Sequence, residues 1–245
     1  MTPASDIEPP ISRAQFVRAN LDDRYEHSPV IWGPSYATGA AVSGRFGKVD
    51  CALELKNAAL AARPESWDVT DTGFTRPAFS GRIGFRPSPI WNFGFSASRG
   101  AYLRPEAEAF LPRGREIGDY HETVLGQDAS FAWHHLQIWA EVIQARFDMP
   151  RIGAVETFVY YLEAKYKFAP QLFAAVRWNQ QFFGEVEKVG GQRPAFSRDI
   201  LRLDTSLAYR LTEQTQLKLQ YTFQHEKGLS TADSHTVAGQ LTVRF

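Results

Sequence analysis

The sequence predicts an all-β protein, an antiparallel up-and-down transmembrane β-barrel with about 11–12 strands in this chain. Three observations predict it. Apolar residues recur at every second position from Thr38 to Phe245, in segments of roughly ten residues, the length a tilted strand needs to cross a bilayer. The connections between these segments alternate between short turns and long polar loops. Aromatic residues of the apolar rows recur beside the short turns: Phe46, Phe85, Trp91, Trp133, Phe168, Tyr209 and the C-terminal Phe245. Side by side they would form one girdle at a membrane interface.

Composition narrows the classes. The 245 residues carry 27 basic and 27 acidic side chains, so net charge offers no reason to expect nucleic acid as a partner. The hydrophobic fraction is 44% and the mean hydropathy is −0.32, values of an ordinary soluble chain. A barrel that shows lipid only every second residue also averages to a polar value, so these numbers do not decide. Cys51 is the single cysteine, which excludes an intrachain disulfide. No apolar run is long enough for a transmembrane helix.

Residues 1–36 lack a clean period and are expected to form an irregular or short helical segment, an outer loop or a plug, with Ile11–Asn20 as the helical stretch. Residues 37–245 then supply the strands. Ala40, Val42, Gly44 and Phe46 turn at Gly47-Lys48 into Val49, Cys51, Leu53 and Leu55. Phe79, Gly81, Ile83 and Phe85 turn at Pro87-Ser88-Pro89 into Trp91, Phe93, Phe95 and Ala97. Leu125, Ala129, Phe131 and Trp133 turn at His134-His135 into Leu136, Ile138, Ala140 and Val142, with a loop expected at Asp148–Arg151. Phe158 to Phe168 turns at Ala169-Pro170 into Leu172 to Phe182. Leu201 to Tyr209 turns at Thr212–Gln214 into Leu217 to Phe223, and the last strand runs from His235 to Phe245, where the ring is expected to close.

The opposite rows are polar. They hold Arg45, Arg82, Arg86, Lys165, Arg177, Arg202, Arg210, Lys218 and Arg244, with the acids Asp50, Glu54, Asp128, Glu141, Glu163 and Asp204. In a barrel these rows line the lumen, and the basic set, expected towards the turn end, would favour anions. The same residues could instead pair with Asp50, Glu163 and Asp204 across strands and stiffen the wall. Alternation alone also fits a soluble all-β sandwich or binding protein, in which the apolar rows point inward.

No catalytic constellation emerges, and no enzyme, cofactor or metal is expected. Gly-rich phosphate loops, Gly-x-Ser-x-Gly and His-Glu-x-x-His are absent. Adjacent His134 and His135 point to opposite faces and make poor joint metal ligands. A barrel phospholipase would need Ser and His together on the outer face, whereas Ser80 and Ser206 fall in the polar rows.

Three stretches resemble the outer-membrane porins, in particular the phosphate-selective porin O and P type: Thr38–Asp50, Tyr160–Pro170 and Leu217–Phe245. The resemblance implies a passive channel for small hydrophilic solutes in the bacterial outer membrane, surrounded by lipid and commonly homotrimeric. It also implies that Phe245 presents a signal to the outer-membrane assembly machinery. Family members have sixteen strands, and the start Met1–Asp6 has neither the basic nor the apolar region of a signal peptide. The expectation is therefore that this chain is the C-terminal portion of a barrel.

Overall fold

The computed structural model describes residues 39–57, 59, 74–103, 105–186, 194–227 and 232–244. Residues 1–36 and Phe245 lie outside them, and so do the roles expected of each.

Eleven strands form one antiparallel sheet in chain order: β1 Gly39–Phe46, β2 Val49–Lys56, β3 Ala78–Phe85, β4 Trp91–Ala101, β5 His121–Trp133, β6 Leu136–Met149, β7 Gly153–Lys167, β8 Leu172–Phe183, β9 Asp199–Arg210, β10 Thr215–Lys227 and β11 Ala232–Val243. Every strand pairs with its sequence neighbour, and among the described residues no pairing joins β1 to β11. The expected closure therefore does not occur within these strands. An odd number of up-and-down strands leaves the first and last pointing the same way, so they cannot close antiparallel.

Short turns gather at one rim. Gly47 takes φ 60° between β1 and β2, a left-handed conformation that glycine adopts without Cβ strain. His134 takes φ 51° between β5 and β6, where the same conformation costs an L-residue energy. The loop rim holds the long connections 57–77, 102–120 and 184–198. The loop expected at Asp148–Arg151 is instead a tight turn over 150–152, because the β6–β7 ladder continues out to Met149 opposite Gly153. Two 3-10 segments, Pro105–Phe110 and Ile117–Asp119, fold the connection between β4 and β5.

Burial is inverted relative to a soluble sheet. On β10, Lys218, Gln220, Thr222, Gln224 and Glu226 are buried, while Leu217, Leu219 and Tyr221 are exposed, Leu219 at 54%. β8 repeats it: Arg177, Asn179 and Gln181 are buried, and Val176, Trp178 and Phe182 are exposed. Apolar side chains gain nothing by facing water, so a sheet that sends them outward and curls around its polar rows suits a hydrocarbon surround. In a sandwich the apolar rows would be the core, and here they are not.

Candidate functional site: the polar concave face

Register decides which lumenal side chains meet. On the turn-side half of β3 and β5, Arg82 donates from Nη1 to Asp128 Oδ2 at 2.6 Å and from Nη2 to Oδ1 at 2.7 Å. This fork-on-fork geometry is the strong form of the pair. β4 lies between those two strands, and the pair passes over Gly94, the residue opposite Asp128. A Cβ on Gly94 would run into both partners. Glycine here is explained by the close passage of the ion pair, not by the backbone angle.

The second cluster lies mid-wall on β7–β10. Arg177 donates to Glu163, Nε to Oε2 at 2.8 Å, with Nη2 at 2.6 Å from the same oxygen. The guanidinium carbon stands 4.5 Å from the Tyr161 ring centre, a cation–π contact. Glu163 is 0% exposed and Arg177 4%. Next to it, Asp204 accepts from Arg202 Nε at 3.0 Å, Asn179 Nδ2 at 3.0 Å, Thr222 Oγ1 at 2.6 Å and Gln220 Nε2 at 3.3 Å. Four donors on one carboxylate offset much of the cost of burying its charge. Towards the loop rim, Gln224 donates to Glu226 at 3.1 Å, and Arg198 lies 3.5 Å from Glu226.

The expected basic set therefore divides. Arg82, Arg177 and Arg202 are all ion-paired; Arg82 stays in the turn-side half, whereas Arg177 and Arg202 do not lie at the turn end. Their alternation placed them on the right face, but where the turns fall along each strand puts Arg177 and Arg202 higher. Lys218 is buried, and Lys165 lies 4.3 Å over the Phe173 ring. Arg45, Arg210 and Arg244 are exposed near the short turns, as is Arg86, whose Nε is 3.6 Å from Asp50. Of the acids, Glu54 is partly exposed with Lys56 at 3.1 Å, and Glu141 sits opposite Asp128 and Tyr161. Ser80 shares a 2.9 Å hydrogen bond with Ser98, and Ser206 is buried beside Asp204, both on the polar face.

The described aromatics expected to form a girdle lie on the outward face. Phe46, Phe85, Trp91, Trp133, Phe168 and Tyr209 are all exposed beside the short turns. The register sets Phe46, Val49, Phe85 and Phe93 in one row, and Trp91 stacks on Phe93 with ring centres 5.5 Å apart. A second outward cluster was not anticipated: Phe158, Tyr160 and Phe182 on β7 and β8. On β7 it lies eight residues from Tyr166, which at about 3.3 Å per residue and a tilt near 40° is a height of roughly 20 Å. Two aromatic levels at that spacing match the apolar band of a bacterial barrel. The signal was present in the sequence, but these rings lie far from any short turn and so did not stand out. Cys51 faces outward with the apolar row, opposite Ile83.

Beyond the wall, Tyr102 donates to the Asp148 carbonyl at 3.1 Å and packs edge-on against Phe147. Burial, followed by the charges of Asp148 and Glu122, pushes its hydroxyl up to about 12. Its protonated state is held through the whole physiological range.

No protein-family model matches the sequence, and no curated protein matches it. Solved structures do. An anion-selective porin from Comamonas acidovorans superposes with a TM-score of 0.55 at 13% identity, covering 83% of this chain and 55% of that one. The outer-membrane channel DcaP of Acinetobacter baumannii gives 0.61 at 9%, covering 84% and 61%. OmpF of Salmonella typhi gives 0.51 at 10%, covering 80% and 56%. The chain thus shares the fold of these outer-membrane porins, an antiparallel up-and-down β-barrel wall. It spans between 55% and 61% of the length of these three structures.

Proposed function

We propose that this chain forms the wall of a passive channel in the bacterial outer membrane, admitting small hydrophilic solutes with a mild preference for anions and no catalytic step. The inverted burial of β7–β10 carries the reading: a buried, ion-paired polar face inside and Leu162, Leu207 and Leu219 outside. Backbone polar groups satisfied between strands make such a wall stable in hydrocarbon. The anion preference rests on the basic lumenal set: Arg45, Arg82, Arg86, Lys165, Arg177, Arg202, Arg210, Lys218 and Arg244. The resemblance to phosphate-selective porins and the fold shared with an anion-selective porin point the same way. Short turns at the periplasmic rim, a homotrimer, and delivery through Phe245 to the assembly machinery belong to the same reading.

The test is reconstitution in planar lipid bilayers. Stepwise conductance, with a reversal potential on the anion side under a KCl gradient, is the expected result. A protein that folds into vesicles without conducting, or that conducts cations preferentially, overturns it.

A further inference from the structure

The lumenal charges are not spread evenly along the wall. Along the wall above the rim, cations and acids are matched: Arg82 with Asp128, Arg177 with Glu163, Arg202 with Asp204. A solute passing these groups meets paired dipoles whose charges are already satisfied. The turn rim is different. Arg45 hydrogen-bonds only the Gly47 carbonyl, at 3.3 Å, and Lys48 the Pro87 carbonyl, at 2.8 Å. Arg86 holds Asp50 at the loose distance of 3.6 Å. Arg210, Arg244 and Lys167 are exposed on the same side of the sheet. Among the described residues, the acids set against these six cations at the rim are Asp50, on the β2 side of the first turn, and Glu213, within the last.

We infer that this turn-rim collar of Arg45, Arg210 and Arg244, with Arg86 loosely held by Asp50 beside it, and not the closely paired arginines of the wall, is the element that selects for small anions such as phosphate and carboxylates. The inference rests on the channel reading above and locates its selectivity. An unpaired guanidinium keeps its donors and its full charge for a passing anion, whereas a paired one must first break a desolvated contact. Because the collar occupies one mouth only, the channel is electrically asymmetric. Anions concentrate at the turn side, and a polyvalent anion blocks more strongly from that side.

The experiment uses the full chain in planar bilayers. The triple variant R45Q/R210Q/R244Q is expected to lower the anion-to-cation permeability ratio about two-fold or more, because each change removes one uncompensated charge from the mouth. The double variant E163Q/R177Q is expected to move it less, and R146Q, a neutralisation on the outward face, not at all. Pyrophosphate added to one chamber at a time should block at a lower concentration from one side, and the triple variant should abolish the difference. If the triple variant fails to fold, phenylglyoxal applied to the wild-type channel reaches the exposed collar arginines before the buried ones and should give the same loss. Channels whose selectivity survives collar removal or modification overturn the inference and leave the channel reading intact. Absence of any channel from the wild-type chain overturns the reading itself.

Discussion

The two faces of the β7–β10 wall obey opposite rules. On the concave face, Glu163, Arg177, Asn179, Arg202, Asp204 and Thr222 are buried and joined by hydrogen bonds of 2.6–3.0 Å. On the convex face, Leu162, Val176, Leu207 and Leu219 are exposed and join nothing but their neighbours in the row. A soluble sheet would be destabilised by both. The difference teaches that solvent identity, not side-chain hydrophobicity, sets which face is inside. Specific pairing holds the polar face, and non-directional contact with hydrocarbon accommodates the apolar one.

The largest break in this comparison is expected on the polar face. Glu163→Ala leaves Arg177 buried without its carboxylate, and the expected loss is about 3–5 kcal/mol in reversible unfolding from lipid vesicles. The double variant E163L/R177L should recover most of that loss, because it removes both charges from the same buried site. A single variant that matches the double one would show that the pair is not structurally coupled.

On the convex face the expected effect is somewhat smaller. Leu219→Arg puts a charge in the exposed apolar row between Leu217 and Tyr221, and the expected cost is up to about 2–4 kcal/mol in the same assay. In a soluble β-sandwich mutated at an exposed position the change would be close to neutral, so a neutral result would place Leu219 in water and contradict the membrane assignment of this face.

The smallest effect belongs to the turn rim, where neither face rule applies. His134 sits at φ 51° beside Trp133, with ring centres 4.7 Å apart. His134→Gly relieves the left-handed strain and is expected to raise stability by up to about 1 kcal/mol, less what the lost ring contact contributed. A lowered unfolding midpoint would show that the His134 ring contact outweighs the backbone term.

Much of this was legible in the alternation. The period of two places Arg177, Arg202 and Asp204 on one face and Leu203, Leu207 and Tyr209 on the other, and the structure keeps every one of them there. The outward exposure of Phe46, Phe85, Trp133 and Tyr209 was legible too, because they share the apolar parity and neighbour short turns. What alternation could not show is how far along its strand each charge sits once the strands are staggered. Arg82 meets Asp128, 46 positions away and two strands over, only because the β3–β4 and β4–β5 registers bring both beside Gly94. The turn at 150–152 was hidden for the same reason: Pro150 and Arg151 look like a loop until the long β6–β7 ladder is seen to reach them.

By itself the sequence determined that the chain is built of strands and which residues share a face, because side-chain direction in a strand depends only on parity. The tertiary structure decided which charges neutralise one another, which remain free at the rim, and whether the strands close. Those outcomes depend on stagger and curvature between strands, which no local pattern encodes.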